Sequence, residues 1–145
     1  MGNSAGWREI GGKRHYFRSL WEIRYAQWLQ YQKEREWIYD WDYEPKTFWF
    51  EGIKRGCVSY KPDFQVFIEK RSWFWIEVKG WMDPKSLTKI KRFMKYFPEE
   101  EIRVVDSKFF KTNNAKLRCI IKDWEVGNSQ SASRHYPYRR SKSAS

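Results

Sequence analysis

Residues 60–80 read YKPDFQVFIEKRSWFWIEVKG, and this stretch predicts two paired strands. Two apolar runs of strand length flank the charged segment 69–72, which is a typical signal of a β-hairpin. Because alternate residues of a strand share one face, Glu77 and Lys79 point to the same side of the sheet. The register is open at this point, but a hairpin can bring Asp63 close to Glu77 and leave Lys79 beside both.

The acidic pair Asp63 and Glu77 needs a chemical explanation, because carboxylates are rarely buried in an apolar run unless they are partnered. Two facing carboxylates repel, so either one takes up a proton or a cation sits between them. A hard divalent cation such as Mg²⁺ suits carboxylate oxygens. The alternative interpretation is that Glu77 and Lys79 form a solvated ladder on one sheet face, with Asp63 a turn residue after Pro62.

Periodicity and breaker residues predict three helices around this hairpin. The first spans about residues 19–37, the second begins at Asp83 before Pro84, and the last is capped by Asn113 or Asn114. The residues expected to face the sheet are Trp21, Tyr25, Trp28 and Leu29 in the first helix, and Leu87, Ile90, Met94 and Phe97 in the second. The order helix, strand, hairpin, helix, strand, helix predicts an α/β (α+β) domain with a small mixed sheet flanked by helices.

The composition favours a nucleic-acid partner. The chain has 145 residues, a formal net charge of +11 and 20% aromatic residues, and a basic surface of this size attracts polyanions. We expect a flexible N-terminus over residues 1–15, one domain over residues 16–126 and a disordered, basic, Ser-rich tail over residues 127–145. No apolar run is long enough to span a membrane, and no signal peptide is evident, which favours the cytoplasm.

Two short sequence motifs resemble those of a known family. Pro62-Asp63, followed after thirteen residues by Glu77-Val78-Lys79, resembles the signature of the PD-(D/E)XK nuclease superfamily. With their flanking residues, the two motifs read YKPDF and IEVKG, and these resemble segments of small phage-encoded endonucleases, such as the junction-resolving endonuclease I of T-odd bacteriophages. The resemblance covers about residues 16–106 and implies a restriction-endonuclease-like core, as well as a host cell cytoplasm as the place of action.

The resemblance also implies an activity, which is metal-dependent hydrolysis of DNA that leaves a 5′-phosphate and a 3′-hydroxyl. Asp63, Glu77 and the Val78 carbonyl would hold Mg²⁺ or Mn²⁺. Lys79 would orient the attacking water or stabilise the charge of the transition state. An intact set of Asp63, Glu77 and Lys79 favours an enzyme over a decayed relative.

Glu22 has two interpretations. Ser19-Leu20-Trp21-Glu22 is a capping box, in which Glu22 closes back on the start of the first helix. Superfamily nucleases often take a third acidic ligand from the first helix, so the resemblance implies a catalytic, metal-binding Glu22. With Asp63 and Glu77 downstream, we favour the ligand. Glu44 and Glu51 are further acids, for which we expect solvated or structural roles.

The substrate follows from the resemblance and from the basic residues. Branched DNA is the first expectation, and paired incisions at a junction imply a homodimer. The alternatives are a sequence-specific or nicking endonuclease on duplex DNA, and a nucleic-acid-binding module without catalysis. The basic residues expected to contact DNA are Lys13, Arg14, Arg18, Lys54, Arg55, Lys61, Lys85, Lys89 and Arg92; for each, a solvated surface position is the alternative.

Overall fold

A computed structural model describes residues 5–125, which form an α+β fold of three helices and small sheets. In chain order the elements are β1 Gly6–Ile10, β2 Lys13–Phe17, α1 Leu20–Glu34, β3 Asp40–Tyr43, β4 Phe48–Trp49, β5 Ser59–Tyr60, β6 Phe64–Glu69, β7 Ser72–Val78, α2 Pro84–Tyr96, β8 Ile102–Val105 and α3 Ser107–Ile120. Within these residues, no helix has the length and apolar character needed to cross a membrane. The predicted tail over residues 127–145 lies outside the described residues.

The central sheet has four strands in the order β3-β6-β7-β8. β6 and β7 form the predicted hairpin, with Phe64 opposite Ile76, and β3 pairs antiparallel with the other edge of β6. β8 pairs parallel with β7, so the sheet is mixed, as predicted. The next position outward from Phe64 and Ile76 is occupied by Asp63 on one strand and Glu77 on the other.

The two faces of the sheet are covered by different helices, as the strand alternation predicts. On one face, Phe64, Ile76 and Val78 join a cluster that includes Ile23 and Leu29 of α1. On the other face, Trp75 joins a cluster with residues of β4, β5 and α2. Both faces are therefore buried, and polar groups at the end of this hairpin lie between two apolar layers.

The buried face of α2 differs from the prediction. Ile90 and Phe93 are buried, whereas Leu87 and Met94 are 42% and 49% exposed. The Phe93 ring meets the rings of Phe48 and Tyr60, both contributed by the small sheet of β4 and β5. These two strands lie on one side of the helix and select the stripe that it buries.

The start of α3 also differs. Asp106 is the N-cap, and its side chain accepts hydrogen bonds from the backbone N–H groups of Lys108 and Phe109. Asn113 and Asn114 lie inside the helix, so the prediction that one of them caps it is wrong. Asn113 donates to the Phe109 carbonyl and Asn114 accepts from the Trp124 indole.

Part of the segment over residues 1–15, for which the sequence predicts flexibility, has regular structure, because from Gly6 onward β1 and β2 form an antiparallel hairpin. Gly11 and Gly12 make its turn, with φ of +62° and +81°. Two successive positive φ angles define the hairpin turn that glycine permits, and Gly-Gly between alternating residues is its sequence signal. Arg8 of β1 pairs with Glu125 at 3.0 Å, which ties the hairpin to the end of the described chain.

Candidate active site

Asp63 lies at the start of β6 and is only 8% exposed. Its Oδ2 accepts a hydrogen bond of 2.7 Å from the backbone N–H of Val78, across the end of the hairpin. Burial, with the nearby charges of Glu77 and Glu22, raises the pKa of the Asp63 carboxyl to about 9. The hairpin therefore brings together the two acids that the sequence singled out, and burial is the main cause of the raised pKa of Asp63, to which the charge of Glu77 adds.

Glu77 at the end of β7 is held by a tyrosine. Its Oε1 accepts a hydrogen bond of 2.5 Å from the Tyr60 hydroxyl. Burial raises the pKa of Glu77, and the Tyr60 hydrogen bond and the charges of Lys79 and Lys89 oppose that rise. Lys79 and Lys89 therefore lie within electrostatic reach of Glu77, as the sequence predicts for Lys79.

Glu22 has the contacts of a helix cap and also lies close enough to Asp63 to act on it electrostatically. Its backbone N–H donates to Ser19 Oγ at 3.2 Å, which is one half of a capping box. Its Oε1 accepts from the backbone N–H of Arg18 at 3.0 Å and from the Tyr43 hydroxyl at 2.6 Å. Burial raises the pKa of Glu22, and the Glu22 charge in turn raises the pKa of Asp63. Glu22 is thus an acid at the start of α1 that also belongs to an acidic cluster, which we define as Glu22, Asp63 and Glu77.

Glu44 is a fourth acid at the rim of the cluster, and its side chain is 15% exposed. Its φ is +46°, and its backbone N–H donates to the Asp63 carbonyl at 2.7 Å. Its carboxylate pairs with Arg18 at 3.3 Å and with Lys61 at 3.7 Å. Two cations thus neutralise Glu44, so a structural role, as expected from the sequence, is compatible with its contacts.

Tyr43 and Tyr60 were not anticipated from the sequence as site residues. Burial and the adjacent carboxylates raise the pKa of both hydroxyls, so each stays protonated and donates to its glutamate. Both tyrosines end strands in ring-rich segments, and a tyrosine at such an end is equally compatible with simple packing. What separates these two cases is the glutamate that each hydroxyl meets, and this partner comes from another element and is absent from the local sequence.

Gly80 allows α1 to approach the end of β7. A Cβ atom at this position would lie 2.6 Å from Cζ3 of Trp21, which is closer than any real contact. Trp21 also stacks on Phe110 of α3, with ring centroids 4.9 Å apart. The glycine after Lys79 therefore lets the helix that carries Glu22 lie against the strand that carries Glu77.

Three acids, the buried Glu22 and Asp63 and the half-buried Glu77, have the donor chemistry for a divalent cation. Asp63, Glu22 and Glu77 each use one carboxylate oxygen for a hydrogen bond that orients the group, and within residues 5–125 the second oxygen of each has no hydrogen-bond partner. Over the same residues, no three His, Cys, Asp or Glu side chains converge into a metal-binding group. Mg²⁺ is usually held by one or two carboxylates together with waters. The pair Asp63 and Glu77 meets that requirement.

Two of the predicted DNA-binding cations are engaged in structural contacts. Lys13 lies 3.0 Å from Asp40 Oδ1 and donates to the Trp41 carbonyl. Arg92 donates to the Cys57 carbonyl at 2.7 Å, which fastens α2 to the loop before β5. These contacts give both side chains a structural role within the fold.

The other predicted cations are more accessible. Arg18 and Lys61 pair with Glu44 beside the cluster, and Lys89 acts on Glu77. The remaining four, Arg14, Lys54, Arg55 and Lys85, lie at exposed positions. Cations thus surround the acidic cluster on the β2–α1 connection, on the approach to β6 and on α2.

Tyr60→Phe is expected to weaken divalent-cation binding and any cation-dependent activity by about 10- to 100-fold, as the loss of a group that orients a ligand typically does. The cause is the loss of the hydroxyl that orients Glu77. The measurement is a Mg²⁺ or Mn²⁺ titration followed by calorimetry. The matched control is Tyr25→Phe, because Tyr25 is a buried tyrosine that packs on Phe64 without contacting these carboxylates. Equal effects of the two substitutions would contradict the assigned role.

Comparison with known proteins gives a family for this fold and site. No curated protein matches the chain. Residues 7–114 match the model of a family described as a protein of unknown function, DUF1064. The match begins in β1 and ends within α3, so it includes all four acids and both tyrosines of the cluster. The chain therefore belongs to the DUF1064 family.

Proposed function

We propose that the protein is a metal-dependent DNA endonuclease of the PD-(D/E)XK type, with a restriction-endonuclease-like core. The observation that supports this most directly is the pair of the buried Asp63 and the half-buried Glu77, with the Lys79 charge acting on Glu77 at the end of the same strand. A fold has no evident use for two repelling carboxylates between apolar layers, because their burial costs stability unless they are neutralised. A bound cation supplies that neutralisation.

The roles of the residues follow from their contacts. Asp63 and Glu77 would hold the cation through their free oxygens, together with the Val78 carbonyl, while Val78 N–H and Tyr60 keep the two carboxylates oriented. Glu22 would complete the same set of ligands or hold a second ion. When bound, Mg²⁺ or Mn²⁺ would lower the pKa of the attacking water and offset charge on the phosphate.

Lys79 would act on the phosphate itself. Its ammonium group is the cation nearest in sequence to Glu77, and it would stabilise the negative charge that develops on the phosphate oxygens. Attack by water and departure of the 3′ oxygen leave a 5′-phosphate and a 3′-hydroxyl. The apolar layers on both sides of the sheet lower the local dielectric and strengthen this interaction.

Branched DNA is the proposed substrate, and a homodimer in the cytoplasm is the proposed form of the enzyme. The net charge of +11 and the cations around the cluster support a DNA partner. Two sites related by a two-fold axis would deliver the paired incisions that resolve a junction.

Cleavage of a four-way junction and of linear duplex with matched sequence tests the proposal. Each DNA is incubated with the protein in Mg²⁺, in Mn²⁺ and in chelator. We expect metal-dependent paired nicks at the junction, which DNA ligase reseals because the ends are 5′-phosphate and 3′-hydroxyl. Equal cutting of both DNAs would contradict the junction preference, and binding without cutting in either metal would favour the non-catalytic module.

A further inference from the structure

The outer face of the β1–β2 hairpin carries an exposed aromatic and cationic surface, which we name the hairpin surface and define as Trp7, Arg14 and Tyr16. Trp7 is 55% exposed and Tyr16 is 51% exposed. Their rings meet edge to face with centroids 5.6 Å apart, and the Arg14 guanidinium lies 4.4 Å from the Trp7 ring centroid. Three side chains that present flat faces and a positive charge are thus already arranged together.

The strand register explains why these residues share a face. Trp7 lies directly opposite Tyr16, and Arg14 lies two residues from Tyr16 on the same strand. Arg8 and His15 form the neighbouring pair and point inward, where Arg8 meets Glu125 and His15 packs on Tyr43. The inner face of the hairpin therefore covers the domain, and the outer face is left to solvent.

The hairpin surface adjoins the acidic cluster. Tyr16 and Arg18 are two residues apart, which is at most about 7 Å of chain, and the Arg18 N–H donates to Glu22. The opposite end of the hairpin is distant, because the Gly11 turn lies against Gln30 in the second half of α1. Trp7 and Tyr16 therefore lie at the end of the hairpin that is nearer to the cluster.

We propose that the hairpin surface binds unpaired bases of a DNA strand next to the phosphate that is cut, and this inference rests on the proposed nuclease function. Exposed aromatic rings combined with cations are the chemistry of single-stranded nucleic-acid binding, in which bases stack on the rings and the backbone meets the cations. Duplex DNA has no free base faces to offer. The substrate class is therefore DNA with an unpaired segment, such as an overhang, a flap or an open branch point.

Glu9 is the acidic residue of this face and lies opposite Arg14. Its charge repels a phosphate backbone, so Glu9→Gln is expected to tighten binding of single-stranded DNA. A cross-strand aromatic pair with a cation also stabilises a hairpin by itself. The test must therefore separate the stability of the hairpin from binding of bases.

The test measures DNA binding by fluorescence anisotropy in the Asp63→Asn background, where cleavage does not interfere. The probes are a blunt duplex and the same duplex with a single-stranded overhang. Combined Trp7→Ala and Tyr16→Ala substitutions are expected to weaken binding of the overhang DNA about 10-fold or more and that of the blunt duplex less than about 2-fold. Trp7→Phe with Tyr16→Phe keeps the rings and is expected to keep most of the overhang affinity.

Trp37→Ala is the matched control, because Trp37 is 59% exposed but follows the far end of α1. It is expected to leave both affinities unchanged. The proposal would be overturned if the alanine variant lost affinity equally for the two DNA probes or lost none at all. It would also be overturned if the phenylalanine variant lost affinity for the overhang DNA. If the wild-type chain binds overhang DNA through these rings but cuts no DNA in Mg²⁺ or Mn²⁺, the hairpin surface stands and the nuclease function fails.

Discussion

Asp63→Asn is expected to reduce metal-dependent DNA cleavage by at least about 10³-fold, because catalysis by a bound cation is lost with its ligand. DNA binding is expected to persist or tighten, since the change removes a negative charge from a site that meets phosphates. Cleavage is measured with end-labelled DNA in Mg²⁺, and binding by anisotropy in the same buffer. Glu77→Gln is expected to behave in the same way. Full cleavage activity in either variant would contradict the proposed nuclease function.

The same substitution is expected to stabilise the fold when no metal is present. An asparagine carbonyl can still accept the hydrogen bond from the Val78 N–H, and the free-energy cost of protonating Asp63 on folding at pH 8 disappears, because an amide is neutral without a proton. We expect a gain of about 1–2 kcal/mol at pH 8, which is the usual size of one stabilising substitution. Thermal unfolding in chelator measures it.

Asp123→Asn is the matched control for both measurements. Asp123 is exposed and has φ of +63°, a conformation that asparagine tolerates well, so this variant makes the same change of charge without touching the cluster. It is expected to keep both the activity and the stability of the wild type. If Asp63→Asn lost both its cleavage activity and its stability, a structural role for Asp63 would be indicated instead.

The pH dependence of stability is the second large effect. The folded-state pKa of Asp63 is about 9 and its ordinary value is 3.8, so between these values the folded chain holds a proton that the unfolded chain has released. Stability then falls as pH rises. In chelator, the free energy of unfolding is expected to fall by a few kcal/mol between pH 5 and pH 9 because of this cluster. Glu22 and Glu77 titrate with Asp63, so the fall belongs to the cluster as a whole.

Divalent cations are expected to reverse that fall. A cation replaces the proton on the carboxylates, so the rise in melting temperature caused by Mg²⁺ or Mn²⁺ should be larger at pH 8.5 than at pH 5.5. Subtracting the free energy of unfolding of Asp63→Asn from that of the wild type at each pH isolates the contribution of the acidic cluster from that of the other charges. If this difference in the free energy of unfolding stayed constant from pH 5 to pH 9, the raised pKa of Asp63 would be contradicted.

Much of the hairpin could be predicted because its determinants are local. A strand has a period of two, so the alternation from Trp73 to Lys79 separates the two faces wherever the strand lies. The charged turn pairs Glu69 with Ser72, and a one-residue register shift between Phe67 and Glu69, which the local pattern does not predict, then places Asp63 across from Glu77. The α+β class follows for the same reason, since each element carries its own period. The N-terminal hairpin also has a local signal, which is the Gly11-Gly12 pair at its turn.

Helix faces were less predictable. In α2, Leu87 and Phe93 are both apolar and both fit a helical stripe, and the ring of Phe48 selects Phe93 for burial. In α3, Asp106 and Asn113 are both good capping residues, and the end of β8 at Val105 decides that the helix begins after Asp106. In each case the sequence offered two equivalent candidates, and packing against another element selected one.

By itself, the sequence determined the strand alternation, the presence of one acid on each strand of the hairpin and the excess of positive charge, whereas the register that places Asp63 across from Glu77 came from the tertiary structure. Only the tertiary structure decided that Tyr43 and Tyr60 donate to Glu22 and Glu77, and that Lys13 is held in the fold by Asp40. The physical reason is that a hydrogen bond or ion pair needs a partner within about 3 Å, and such partners come from elements distant in the chain. Local sequence specifies the direction of a side chain, and the packing of the whole domain specifies what it meets.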